Sequence, residues 1–441
     1  MSRIAPPLPE DLSTARKTVP WEREIEVQLI TRLFGGGARP REIDERSWIR
    51  PAALKSALRF WWRATHAHLP EYDSLKKLKK QEDLLFGTAA RFGKKNEILG
   101  GPGWLSVEVS AAGGSLVREA YDPKSKAEAG RSVGIAYYPA TPQKEQVIRL
   151  GGVGKGKGVR SLIRLRLERL DQDAVGEIQE ALKAFLLMGG VGARTRRGAG
   201  SLAPAHEEAD IPCSALEIER YFAEWVKIDP SSIPAGVFSL ARAQWVVTGR
   251  SYATGEEAQE ALLDVLREFR QKRLHPKNWG KGDYGPTRWP EPYAIRMEVG
   301  TGSHKTSEEH REQFPRGILG LPIVFKFHDK DKNDPGRHTL AGVRENGEAI
   351  SRFASPLLLR PIRIWRQEKG ESVKEYLPVA LFTEPILPSD TLPLLEPTPA
   401  EEDPRPTLSE ARTFSETSFA EAAKNADLLA KLKTAFQDGL R

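Results

Sequence analysis

The segment Trp48 to Arg63 interleaves cations with aromatic rings, and no acidic residue occurs from Arg46 to Arg63. On a helix advancing about 100° per residue, Lys55, Arg59 and Arg63 fall within roughly an 80° arc, while Leu54, Ala57 and Trp61 point to the other side. Trp62 borders that cationic stripe, and Arg46, Trp48 and Arg50 precede it. Phosphates require guanidinium or ammonium groups and unstacked bases require aromatic faces, each stack contributing about 1–3 kcal/mol, so this composition suits single-stranded nucleic acid. It equally suits an amphipathic surface helix whose Arg and Lys stems cover apolar surface and whose tryptophans are core.

Two glycine-rich basic loops carry related chemistry. The run from Gly189 to Gly200 (GGVGARTRRGAG) sets Gly189, Gly190 and Gly192 before Arg194, Arg196 and Arg197, and the run from Gly151 to Arg160 (GGVGKGKGVR) supplies Lys155, Lys157 and Arg160. Glycines let a backbone approach a ligand and expose its amides, which with added cations forms a phosphate cradle. Gly35, Gly36 and Gly37 provide a third flexible stretch just before the basic helix. Neither longer loop contains GxxxxGK[ST], and neither follows a strand as GxGxxG, so nucleotide hydrolysis and dinucleotide binding are disfavoured.

Other chemistry finds little support. The eight histidines include His66 and His68, whose spacing of two puts them on different helix faces. His206, His275, His304, His310, His328 and His338 lie in polar stretches without a fixed spacing to a second ligand, and HExxH and GxSxG are absent. The single cysteine, Cys213, excludes an intramolecular disulfide and a Cys-cluster zinc site, so no metal and no cofactor is expected. Net charge of +7 and an isoelectric point of about 9.2 favour a polyanionic partner. No apolar run is long enough to cross a bilayer, and the opening MSRIAPPLPEDLSTARK has no apolar stretch resembling a secretory signal, so no membrane association is expected and the cytoplasm is the expected location.

The elements that would position these residues follow from periodicity. Ile25, Val27 and Leu29 alternate with Glu24, Glu26 and Gln28 in a strand, and Pro51 suits the first turn of a helix. Trp104 to Val109 and the Ile163, Leu165, Leu167 alternation predict two more strands, Asp173 to Met188 has helical spacing, and Ser201 to Ala203 closes the unit. The order is β-α-β-β-α-β, the ferredoxin-like arrangement. A second, divergent copy starts with a strand at Gln244 to Val247 and a helix through Ala258, Leu262, Val265, Leu266 and Phe269; strand-like runs follow at Leu321 to Phe327, Pro356 to Trp365 and Tyr376 to Phe382, without an evident second helix. A chain of 441 residues exceeds one ordinary core. It divides into an N-terminal arm (1–20), a first ferredoxin-like RNA-binding domain (21–208), a connecting segment (209–237), a second ferredoxin-like domain (238–385), a proline-rich linker (386–407) and a C-terminal helix (408–441). The fold class is α+β.

Phe34-Gly35-Gly36-Gly37 and Trp48-Ile49-Arg50-Pro51 running into Leu54 to Arg63 together resemble the signature of the first subunit of the Cmr complex, the type III-B CRISPR effector. The Gly189 to Gly200 stretch resembles the glycine-rich loop of the wider RAMP superfamily, and Arg316 to Pro322 and Arg352 to Leu357 resemble that subunit's distal domain. The resemblance runs from about residue 22 to 385 and leaves the tail and the lysine-rich stretch Leu75 to Gln81 unmatched. It implies two ferredoxin-like domains, a place near the 3′ end of a CRISPR guide RNA beside the other capping RAMP subunit, contact with target RNA, and no catalysis. It also implies RNA contacts at Arg50, Lys55, Arg59, Trp62, Arg63, Arg194, Arg196 and Arg197. Because some RAMP proteins cut RNA without metal by histidine proton transfer, a metal-independent endoribonuclease is the enzymatic alternative. A scaffold whose basic helix docks an acidic partner subunit is the third reading.

Overall fold

The structure is a computed structural model that describes residues 21–35, 37, 39, 42–44, 47–92, 98–114, 117–121, 145–149, 158–169, 171–247, 249–271, 289–299, 313–327, 334–350, 352–384, 387–398, 407–415, 417–425 and 427–440. Strand β1 (Trp21–Leu29) buries Ile25, Val27 and Leu29 and turns its glutamates outward, as its alternation requires. It pairs antiparallel with β8 (Arg160–Leu167), Trp21 opposite Leu167 and Gln28 opposite Arg160. Strand β5 (Leu105–Gly113) flanks β8, and β9 (Leu202–Pro204) flanks β1, giving the antiparallel order β5-β8-β1-β9. Helices α1 (Pro51–His66) and α3 (Gln172–Met188) cover the apolar face of this sheet. Pro51 opens α1 where no amide donor is needed, and the Asp171 carboxylate caps α3 by accepting from the amides of Asp173 and Ala174. The first half therefore has the expected β-α-β-β-α-β order.

Three elements are inserted between α1 and β5, the first of them over the lysine-rich stretch Leu75 to Gln81. They are α2 (Leu75–Phe86) and the paired strands β3 (Gly87–Phe92) and β4 (Ile98–Pro102). A small sheet orders β2 (Leu33–Phe34), β7 (Glu145–Arg149) and β6 (Val117–Tyr121) as β2-β7-β6. The connecting segment contains a helix, α4 (Ala215–Val226), started by a capping box between Ser214 and Glu217, and its Ile218, Phe222 and Trp225 join the first core.

The second half departs further from expectation. Strands β10 (Gln244–Val247), β15 (Glu371–Phe382) and β14 (Leu357–Glu368) form an antiparallel sheet in the order β10-β15-β14, packed by α5 (Gly255–Gln271). Its second helix is α8 (Leu428–Gly439), whose Leu428, Leu432 and Phe436 are fully buried against α5 and β10–β15. The C-terminal helix, which its sequence leaves either docked or mobile, is thus docked on the body. The proline-rich stretch likewise contains a strand, β16 (Leu392–Pro397), lying between β12 (His338–Val343) and β17 (Arg412–Thr413) in a sheet that also holds β11 (Ile323–Phe325) and β13 (Ala349–Ile350). Helices α6 (Glu291–Val299) and α7 (Phe419–Asn425) complete this region. The second half has three sheet strands in this arrangement among the described residues, not four, so the expectation of two tandem ferredoxin-like domains is met only as a mixed α/β fold with antiparallel sheets.

The halves share a core. Leu358, Ile362, Ile364, Leu377, Val379 and Leu381 pack with the first half's helices. Arg360, fully buried, reaches across to donate to Ser201 Oγ (2.5 Å), Leu202 O (3.0 Å) and Leu186 O (3.5 Å). Burial pushes its pKa down to about 9, so it remains a cation at neutral pH. Arg363 donates to Pro204 O (2.8 Å) and Gln28 Oε1 (2.6 Å) on the same partner strands.

Candidate nucleic-acid interface

The cationic stripe on α1 exists, but it is covered. Lys55 Nζ donates to Leu105 O (2.5 Å), and burial, reinforced by nearby Arg59, lowers its pKa. Arg59 donates to Gly87 O and lies 3.5 Å from Glu82, while Arg63 pairs with the same carboxylate at 2.7 Å. Glu82 is buried and comes from α2, directly after the lysine-rich stretch Leu75 to Gln81 that the family resemblance leaves unmatched. A helical wheel gives the direction of a side chain but not what packs over it. Here the arginines bridge α1 to α2 and β3, leaving their side chains 28% and 35% exposed.

The two tryptophans offered as stacking surfaces require correction. Trp62 is completely buried, donates Nε1 to Glu177 Oε2 (2.9 Å), and packs on His66, Tyr72 and Phe86. Trp48 is buried in the same core, as is Trp61. Neither Trp48 nor Trp62 presents a face to a base. The indole N–H explains the burial of Trp62 on the polar side of its helix, since Glu177 on α3 supplies the acceptor. Arg50 stands as the N-cap residue of α1, half-buried, whereas Arg46 and Gly36 lie outside the described residues.

The glycine segments, by contrast, are brought together. Ala193 N donates to Phe34 O (2.7 Å) and Gly200 N to Arg32 O (2.8 Å), so the 189–200 loop runs against the chain leading into Gly35 and Gly37. Gly192 and Gly200 adopt φ of +80° and +62°; a Cβ at Gly192 would lie 2.7 Å from Phe34 O, and one at Gly200 would strike Val191 O. A Cβ at Gly189 would meet the indole nitrogen of Trp61 at 2.6 Å, and one at Gly190 would crowd Arg360. The glycines thus permit close packing of the protein on itself. The amides of Val191, Ala193, Arg197, Gly198 and Gly200 all donate within the protein, so the expected phosphate cradle of open amides is not what the loop presents.

Its arginines also tie the halves. Arg196 donates to Ser355 O (2.6 Å) and accepts at its carbonyl from Leu359 N (2.9 Å), and burial lowers its pKa. Gln259 on α5 donates to Arg197 O (2.9 Å), and the Arg194 guanidinium lies 5.1 Å from the Phe34 ring centre. Arg194, Arg196 and Arg197 are all partly buried, so the loop carries three arginines along the seam between the halves.

The third basic element divides differently. Arg160 pairs with Glu26 at 2.7 Å; Lys155 and Lys157 lie outside the described residues. On the outer face of the sheet, Arg164 and Arg166 alternate with Glu22, Glu24 and Glu108 in a ladder of ion pairs, which leaves that face without excess positive charge. Of the histidines, His66 is buried against Trp62 O, His68 packs edge-on to Trp225, and His338 Nε2 accepts from Leu408 N. His206 is exposed, 3.6 Å from Glu26. His275, His304, His310 and His328 lie outside the described residues. Among the described residues, no three metal-ligating side chains converge, and no helix is long and apolar enough to cross a membrane. The Cys213 thiol is free, its pKa pushed up to about 11 by burial and by Glu217.

Arg360 and Arg363 escaped the sequence reading. The signal was present, as two cations inside the strongly apolar run LLLRPIRIW, a pattern that calls for a buried acceptor nearby.

Residues 26–203, the segment holding α1 and both glycine seams, match the family model of the RAMP superfamily, in agreement with the resemblance carried by the residues. Among solved structures, the chain is similar to Cmr1 from Pyrococcus furiosus in its apo form, at 16% identity over 92% of this chain and 97% of that one, with a TM-score of 0.43. It is similar to a chain of the type III-B Cmr-beta complex bound to cognate target RNA and AMPPnP, at 10% identity over 82% of this chain and 95% of that one (TM-score 0.37). A chain of a type IV-B CRISPR complex follows at 14% identity over 44% and 93%, with a TM-score of 0.29. No curated protein matches the sequence.

Proposed function

We propose that this chain is a non-catalytic RNA-binding subunit of a type III-B CRISPR (Cmr) ribonucleoprotein. In that assembly it caps the 3′ end of the guide RNA beside the other capping RAMP subunit and helps capture target RNA. The observation that supports this reading most directly is the convergence of the Arg32 to Gly35 segment with the Arg194, Arg196 and Arg197 loop, within the segment that matches the RAMP superfamily. Guanidiniums fixed on a seam between two halves can hold a phosphate backbone without reordering themselves, which lowers the entropy lost on binding. The stripe on α1 contributes mainly by holding α2 and β3, with Arg59 and Arg63 accessible at its rim.

The test is recovery of the protein from its native cell, with sequencing of bound RNA and identification of co-purifying subunits. The expected result is guide RNA together with other Cmr subunits. Recovery as a monomer without RNA or partners would refute the proposal. In purified form, Arg194→Ala should weaken RNA binding and flatten its salt dependence.

A further inference from the structure

The β14–β15 hairpin carries a feature that the RNA-binding reading does not use. In its register Arg363 stands opposite Tyr376 and Trp365 opposite Lys374. Residues directly opposite share a face, as do residues two apart, so these four side chains lie together on one face of the hairpin. Cation and aromatic alternate there in both directions. The Lys374 ammonium sits 4.8 Å from the Trp365 ring centre, and the Arg363 guanidinium 5.5 Å from that of Tyr376. Nearer the first part of β14 the same face carries Leu357 and Leu359, which α5 covers. Toward the tip that helix no longer covers the sheet, and the face meets the end of β9 instead.

The first half adds a third cation to this face. Arg363 holds Gln28 Oε1 at 2.6 Å, and Gln28 is the register partner of Arg160. Lys374 Nζ lies 3.5 Å from Ala205 O, and the Ala205 amide donates to Glu26 O, the residue whose carboxylate pairs with Arg160. Arg160 and Lys374 thus meet at one seam: Arg160 pairs with Glu26, which the exposed His206 also approaches, while Lys374 and Arg363 reach the carbonyls of Ala205 and Pro204. The remaining acidic neighbours are engaged elsewhere: Glu375 with Arg366 and Ser251, Glu207 with Ser372. Burial lowers the Lys374 pKa, and Arg363 and Arg160 lower it further, as expected where cations outnumber carboxylates. Arg363 is buried and fixed by three partners, whereas Lys374 is exposed and Arg160 is 34% exposed, so a rigid base supports an accessible rim.

We infer that Arg160, Lys374 and Trp365 form a second contact for single-stranded RNA, on the seam between the β14–β15 hairpin and the first sheet. Arg160 and Lys374 take backbone phosphates and Trp365 takes a base face. This assignment rests on the RNA-binding reading and extends it from Arg160, inside the segment that matches the RAMP superfamily, to the β14–β15 hairpin outside it. Arg363 is the positioning residue, because it fastens the hairpin to Gln28 and Pro204 and so sets the spacing of Lys374 from Arg160.

The experiment uses the full chain and a fluorescently labelled single-stranded polyuridine oligonucleotide, with anisotropy measured over a series of salt concentrations. Each phosphate contact to a single strand contributes about −0.7 to the slope of log affinity against log salt, which at 0.15 M salt corresponds to about fourfold in affinity. Lys374→Gln and Arg160→Gln are each expected to weaken binding about fourfold and to reduce the slope by about 0.7. Arg160→Lys, which keeps the charge, should retain the slope. Trp365→Ala should weaken binding with the slope unchanged, since stacking releases no counterions. The control is Lys80→Gln on the exposed face of α2, expected to change neither quantity. Thermal midpoints check that each variant is folded, which Lys374 secures by its exposure. If the unaltered protein binds RNA but both glutamine variants keep its affinity and slope, the second contact is overturned and the general RNA-binding reading stands. If the unaltered protein does not bind the strand at all, both fall.

Discussion

Replacing Trp62 by alanine separates a core residue from a stacking platform. The ring is fully buried, enclosed by His66, Tyr72 and Phe86 with centroids 5.6–6.2 Å away, and its N–H donates to Glu177 at 2.9 Å. Truncating a buried Trp or Phe to alanine costs about 3–5 kcal/mol through lost burial and the cavity left behind. The lost hydrogen bond to a carboxylate adds about 1.5 kcal/mol, because Glu177 keeps Tyr72 as a donor at 2.6 Å and is not stranded. The sum, about 4.5–6.5 kcal/mol, is comparable with the whole stability of many domains. At about 2–4 °C per kcal/mol for a domain of this size, the melting transition should fall by about 9 °C or more. Trp62→Phe should show a much smaller loss, since most of the ring volume remains. Thermal unfolding followed by near-ultraviolet circular dichroism measures both. A Trp62→Ala protein with unchanged melting temperature and weakened RNA binding would refute the placement and restore Trp62 as a base-stacking surface.

Three further outcomes are expected. Gly200→Ala, at φ +62° and with Val191 O in the way, should destabilise the seam by several kcal/mol, whereas Gly176→Ala, on the exposed side of α3 with open space around it, should stabilise by about 0.5–1 kcal/mol; denaturant midpoints compare the two. Glu82→Gln should destabilise by about 1–2 kcal/mol, less than a fully buried pair because both arginines are partly solvated, and should raise protease sensitivity in α2; unchanged cleavage there would show that α2 is held by its apolar contacts alone. Burial lowers the pKa of His66 below 6.5, with Glu177 opposing, and burial lowers those of His68 and His338 likewise. Below pH 6.5 the unfolded chain then binds more protons than the folded one, so stability should be full above that pH and fall as pH drops through the folded values; His66→Gln should flatten the decline, and a gain of stability on acidification would contradict it.

How much of this was legible in the sequence varies with the range of the interaction involved. The strand and helix periods of the first half placed β1, α1, β8 and α3 correctly, because a half-buried element writes its own alternation into its residues. The terminal helix was legible as a helix but not as a member of the second core, since its partner α5 lies more than 150 residues earlier and no local pattern records the pairing. For the same reason β16 resembles a linker in sequence: proline and acidic residues dominate its surroundings, and only pairing with β12 makes it a strand.

The candidate interface shows the division most sharply. The sequence by itself determined which residues were cationic, aromatic or glycine, that Trp61 belonged to the core, and that the Gly189 to Gly200 run had to adopt a special backbone. Only the tertiary structure decided which of these remained accessible. Glu82 reached Arg59 and Arg63 from an insertion 19 to 23 residues away, and Glu177 claimed the Trp62 N–H from across the core at a separation of 115. A buried polar group must be satisfied, but the identity and distance of its partner are properties of the packed chain, not of any window of sequence. The arginines of the 189–200 loop and the cations of the β14–β15 seam acquired their candidate role in the same way, by being brought together from distant positions in the chain.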